Sequence, residues 1–233
     1  SIPLTSNVSP GQTIDVSVPL TAPDTPGTYR GDYKLRNDSN VIFGLGEKNK
    51  PFYVIIQVGA TSGLLFDFIA KASSADWESG VGSTVNTPIS FGGDDNDPNG
   101  VAKIKDGVQL ENGSISSKLL LTFPKHENDG FIQGTYPSYK VQKGDRFKAR
   151  LGFMLPGGVC TSGKVKFQLK YKEDGGVQSL KEWTKSCDNS LLPVDVDLSI
   201  LKGKTVQFVL IVKAAGSFSD DWAIWSSPRI EHP

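Results

Sequence analysis

The tract Asp95-Asn96-Asp97-Pro98-Asn99-Gly100 fits the pattern D-x-D-x-N-G, and Asp106 stands at the twelfth position counted from Asp95. Hard cations take several oxygen ligands at about 2.3 to 2.6 Å, and alternating acidic and amide side chains on a tight loop supply them. The expected ion is calcium, on Asp95, Asp97, Asn99, the carbonyl of Val101 and Asp106. Residues 89–91 and 101–104 read as strands, so this would be a loop site without the helices of an EF-hand. The competing reading is turn chemistry, since Asp, Asn, Pro and Gly all favour turns.

Aromatic rings that stack on the apolar face of a sugar, flanked by polar groups that read hydroxyls, are the second kind of chemistry within reach. Trp77, Tyr136, Tyr139, Trp183, Trp222 and Trp225 are the candidates. On a strand, residues three apart face opposite sides. Trp222 shares a face with Ile224 and is expected in the core, whereas Trp225 shares one with Ala223 and is expected to be freer. Tyr136 and Tyr139 flank Pro137 in a loop. The ligand-binding expectation therefore falls on Tyr136, Tyr139, Trp77 and Trp225.

Cys160 and Cys187 are the two cysteines. They flank a hairpin, residues 164–172 running out, Asp174-Gly175-Gly176 turning and 177–183 running back, so both reach the same end. A disulfide is expected there, worth roughly 3 to 4 kcal/mol in the chain-entropy model, and it would place the protein outside the cytoplasm. Two buried thiols are the alternative. The histidines, His126 and His232, adjoin no nucleophile in sequence, and Gly203-Lys204-Thr205 lacks the earlier glycine of a phosphate loop. Neither a GxSxG elbow nor an HExxH pair occurs. No enzyme activity is expected.

The elements that must position these groups are strands. The 233 residues include 25 Gly and 14 Pro, punctuating short runs rich in Val, Ile, Thr, Phe and Tyr. That is the composition of an all-β chain with many turns. Basic and acidic residues number 25 each, so a global pull toward nucleic acid or anionic lipid is absent. The longest apolar runs are far too short for a membrane span. Val165, Phe167, Leu169 and Tyr171 alternate with Lys164, Lys166, Gln168, Lys170 and Lys172; Phe147, Ala149, Leu151 and Phe153 alternate with Arg146, Lys148 and Arg150. Both read as half-buried strands. The run 206–212 is apolar on both faces and reads as a central strand. If the two basic strands paired, they would form a cationic face; a mixed-charge face with Asp195 and Asp197 is the alternative. The small residues 59–63 mark a boundary between a first part, 1–59, and a second, 64–233. The first part is expected to hold strands at 14–18, 27–37, 42–45 and 52–58.

The segment "VSPGQTIDVSVPLTAPDTPGTYRGDYKLRNDSNVIFGLG", followed by "FYVIIQV", resembles the second half of the four-tryptophan immunoglobulin-like domain over residues 8–58. That resemblance implies a partial sandwich with an open sheet edge. "GDRFKARLG", "GKVKFQLKY", "VDVDLSILKGKTVQFVLIV" and "DDWAIWSSPRI" resemble jelly-roll carbohydrate-binding modules of the galactose-binding-like group over residues 140–230. The expected fold class is all-β, a partial immunoglobulin-like sandwich followed by a jelly-roll β-sandwich. The expected function is an extracellular, non-catalytic module that binds carbohydrate and holds a structural calcium ion. The alternative is an adhesion module that binds protein, or a second copy of itself as a homodimer, through the open edge of its first part.

Overall fold

The computed structural model describes residues 7–18, 20, 27–58, 63–82, 84–159, 161–174 and 176–232. The chain divides into two compact units, Ser1–Thr61 and Ser62–Pro233.

In the first unit, β1 (Gly27–Tyr33) pairs antiparallel with β4 (Phe52–Val58), and the short β2 (Leu35–Arg36) pairs with β3 (Ile42–Phe43). Tyr33 stacks on Phe52 at 5.8 Å, and Arg30 lies 4.3 Å over the Tyr53 ring. The apolar alternation at 14–18 does not form the expected strand: among the described residues it has no ladder partner, and Ile14, Val16 and Val18 are exposed. A strand needs a neighbour to satisfy its backbone groups, and alternation alone supplies none.

The second unit contains β5 (Leu64–Asp67), α1 (Phe68–Lys71), β6 (Asp76–Val81), β7 (Thr84–Ile89), β8 (Val101–Lys105), β9 (Leu119–Phe123) and β10 (Gly130–Thr135). It continues with β11 (Tyr139–Lys140), β12 (Arg146–Phe153), β13 (Lys164–Glu173), β14 (Gly176–Ser186), β15 (Leu192–Asp197), β16 (Thr205–Ala214) and β17 (Ala223–Glu231). Among the described residues, one sheet runs β14-β13-β16-β10-β6-β7, with β11 also on β16. The other runs β15-β12-β17-β9-β8, with β5 also on β17. These are the layers of a β-sandwich.

The period-two patterns set what lies between the layers. Val165, Phe167 and Leu169 of β13 are fully buried, as are Phe147, Leu151 and Phe153 of β12. β16 is central, between β13 and β10, and both of its faces are buried. The hairpin β13–β14 forms with Asp174 at φ +47°, the left-handed geometry that a tight turn requires. Gly134 is fixed by packing, because a Cβ there would come within 2.7 Å of the Trp77 ring. The basic strands β12 and β13 belong to different sheets. Arg146 instead meets Asp195 at 2.7 Å, and Lys148 meets Glu231 at 2.7 Å, giving a mixed-charge face.

A second apolar cluster lies away from the main core. Val101, Leu110, Leu119, Leu121, Phe123, Met154 and Ile224 are buried there, with Val108, Leu191, Phe218 and Trp222 packed against them. β17 therefore buries both faces: Ala223 and Trp225 in the main core, Ile224 in the second cluster. That arrangement decides the functional site.

Candidate functional site

The loop after β12 and the loop before β17 meet at one end of the sandwich and enclose a cleft of about 210 Å³ lined by Met154, Pro156, Gly157, Val159, Thr161, Asp220 and Trp222. Two hydrogen bonds from backbone amides lock the segments together. The Met154 amide donates to the Trp222 carbonyl at 3.0 Å, and the Lys164 amide donates to Asp221 Oδ1 at 2.8 Å. Asp220 sits at φ +62°, a conformation that aspartate tolerates better than most residues. Its Oδ2 accepts hydroxyl bonds from Ser162 at 2.8 Å and Thr161 at 3.1 Å. Those bonds, the Ser162 hydroxyl foremost, hold the Asp220 carboxyl below its ordinary pKa and keep it ionised.

Trp222 is backed by a row of rings. It meets Phe123 edge-on at 4.6 Å, Phe123 meets His126 at 4.9 Å, and His126 stacks on Phe218 at 5.3 Å. Burial lowers the His126 pKa, opposed by the nearby Asp97 carboxylate. The support for the other loop is ionic. Glu111, fully buried, accepts the Phe153 amide at 3.1 Å and the Asp188 amide at 3.0 Å, and its carboxylate meets Lys185 Nζ at 3.0 Å. Lys185 also meets Asp188 at 2.6 Å. This buried cluster fixes the end of β12 immediately before Met154.

The adjoining Asp221 is 0% exposed, and its Oδ2 has no hydrogen-bond partner among the described residues. Burial pushes its pKa up to about 7, opposed by the Lys164 amide, with the Asp220 charge adding to the rise. The pair divides the work at this turn: Asp221 holds β13 from inside, and Asp220 presents its charge to the cleft.

None of the expected sugar-stacking rings lines this cleft. Trp77 is buried, donates its indole N–H to the Ala72 carbonyl at 2.8 Å and stacks on Phe91. Tyr136 is buried against Phe66, Phe68 and Trp77, and burial raises its hydroxyl pKa. Trp225 is buried edge-on against Phe167 at 4.9 Å. These three rings have no face to offer a ligand. Tyr139 is half-buried and donates to Asp145 at 2.8 Å; burial and that bond raise its pKa. The assignment of Trp222 to the core and Trp225 to a freer position is reversed. Ile224, the presumed guide to the core, faces the second cluster instead. Asp220, Thr161, Met154 and Val159 carry no signal in the sequence beyond an Asp-Asp-Trp turn opening the last strand.

The acidic tract is arranged for turns and ion pairs. Asp95 Oδ1 meets Lys103 at 2.7 Å, and Oδ2 meets Lys105 at 2.6 Å. Burial alone would raise the Asp95 pKa, but the two ammonium groups outweigh it and lower it. Asp97 accepts the Asn99 amide at 2.9 Å and Asp94 accepts the Asn96 amide at 2.8 Å, both local turn bonds. Val101 is a buried strand residue paired with Phe123, and Asp106 is exposed. With both oxygens of Asp95 on lysines, this donor set does not fit calcium, and among the described residues no group of three His, Cys, Asp or Glu converges to hold a metal. Cys160 lies outside the described residues. Cys187 packs against the main core, and its amide donates to Gly163 at 2.9 Å.

A family model described as Ig-like domain from next to BRCA1 gene matches residues 1–58. No curated protein matches the chain. Among solved structures, CBM51-2 with INT domains of Clostridium perfringens ZmpB, in complex with GlcNAc, is 14% identical with a TM-score of 0.41 over 89% of this chain. The M60 catalytic domain with CBM51-1 and CBM51-2 of the same protein is 15% identical, with a TM-score of 0.42 over 89% of this chain. The chain spans 38% and 18% of those two chains. CBM28, a module specific for non-crystalline cellulose, is 14% identical with a TM-score of 0.40, over 68% of this chain and 89% of its own.

Proposed function

We propose that this protein is a non-catalytic carbohydrate-binding module whose ligand enters the cleft beside Trp222. The observation that carries the reading is one aromatic wall, one ionised carboxylate and one hydroxyl, from Trp222, Asp220 and Thr161, converging on a preformed hollow. A flat ring takes the C–H face of a sugar, and a carboxylate accepts from its hydroxyls. At about 210 Å³ the hollow is on the scale of a single sugar unit rather than a chain.

A Cys160–Cys187 disulfide and a location outside the cytoplasm belong to the same proposal. The Cys187–Gly163 bond supports it by bringing the end of β14 to the loop that carries Cys160. Among the described residues, no helix is long and apolar enough to cross a membrane. Glycan-array screening followed by calorimetry, with wild type and Trp222→Ala, tests the reading. Wild type binds a defined set of glycans and the variant, still cooperatively folded but with a lower melting temperature because Trp222 packs on Phe123, loses them. Equal binding by both would move the site elsewhere.

A second reading, assembly with another protein or a second copy through the first unit, is favoured by the exposure of Tyr53, Val54 and Ile55 on a two-stranded ribbon. Light scattering over a concentration series tests it. A concentration-dependent dimer supports it, and a monomer throughout removes self-association.

A further inference from the structure

The cleft is electrostatically one-sided. Among the described residues that line it, Asp220 is the one charged group; the others are Met154, Pro156, Gly157, Val159, Thr161 and Trp222. The bonds that fix the Asp220 carboxylate come from Thr161 and Ser162, both neutral. Its negative charge is therefore oriented by the protein without being neutralised. The contrast with Asp95, which meets two lysines, is direct. A carboxylate held in this way, beside an indole and a thioether, complements a compact cation carried on an apolar-faced ring: charge-assisted hydrogen bonding acts at the carboxylate and quadrupole attraction at the indole. The same arrangement repels a ligand carboxylate.

Resting on the carbohydrate reading, we propose that the cleft selects a sugar with a free, protonated amine, a 2-amino-2-deoxyhexose unit, placing the ammonium on Asp220 and the ring against Trp222. N-acetylation removes the charge and adds bulk, so the acetylated unit loses the main attraction. A uronic acid is excluded by its own charge.

Calorimetric titration of the full chain with a glucosamine trisaccharide, its fully N-acetylated counterpart and a galacturonic acid trisaccharide tests this. The free-amine sugar should bind at least about tenfold tighter than the acetylated one, the range of a hydrogen bond to a charged group. Added salt should narrow the gap, and Asp220→Asn should close it, the free-amine sugar losing at least about tenfold more affinity than the acetylated one. The wild-type comparison stands even if the variant loosens the loop. An acetylated or neutral sugar that binds as tightly as the amine overturns the selectivity and leaves the carbohydrate reading intact. Failure of all three sugars, together with a blank glycan array, overturns both.

Discussion

In the turn before β8, Asp95 meets Lys103 and Lys105 at 2.7 and 2.6 Å; in the turn before β17, Asp220 and Asp221 meet hydroxyls and a backbone amide. The two segments look alike as sequence, since both are short, rich in aspartate and followed at once by a strand. Their charges are used differently. The first turn spends its carboxylate on fastening itself to β8, whereas the second leaves Asp220 ionised at the mouth of a cleft and buries Asp221 without a cation. The Asp220 turn is a candidate binding group because, among the described residues, no lysine ammonium pairs with its carboxylate.

The cost of leaving a buried charge uncompensated is largest at Glu111, which is fully enclosed and paired with Lys185. Lys185→Met should destabilise the fold by about 3 to 5 kcal/mol in urea denaturation, the range for breaking a buried ion pair from one side. A loss under about 1 kcal/mol would show that water already reaches Glu111.

Asp221 offers the reverse experiment. Its native pKa, about 7, lies above its ordinary value of 3.8, so between those values the folded state holds a proton that the unfolded state has released. The stabilisation is complete below about pH 4 and is lost as pH rises through 7. Asp221→Asn, which keeps an acceptor for the Lys164 amide, should flatten this dependence. At pH 8 it should also raise the melting temperature by a few degrees, at about 2 to 4 °C per kcal/mol for a chain of this size. A melting temperature that falls at pH 8 would place a cation or an ordered water on Oδ2.

The smallest effect is expected at Asp95. Its ion pairs are part-exposed, so Asp95→Asn should cost about 1 kcal/mol or less. Calcium against chelator should leave the wild-type melting temperature unchanged, because a ligand stabilises only the state that binds it. A calcium-dependent rise lost in the Asp95 variant would restore the metal reading.

Strand identity was legible wherever one face was apolar and the other charged, as in β12 and β13, because side-chain period and burial then coincide. The hairpin turn and the central place of β16 followed from the same pattern. β17 defeated that logic. With a second apolar cluster outside the sheet, Ile224 and Trp225 are both buried on opposite faces, and no alternation says which is the main core. Tyr136 misled for a related reason: its loop position suggested exposure, yet its ring fills the space between Phe68 and Trp77. The lysines that occupy Asp95 were visible as a Lys-Ile-Lys strand. Their reach back across the loop depended on β8 lying beside it, which only the fold shows. At residues 14–18 the pattern is present and, among the described residues, a partner strand is not.

Whether a sugar sits against Trp222 is read from the four tryptophan indole N–H signals in nitrogen-15 NMR during titration with a glycan identified by array. Saturable movement of the Trp222 resonance is expected, with those of the buried Trp77 and Trp225 nearly still. A titration in which binding saturates while Trp222 does not move would contradict it.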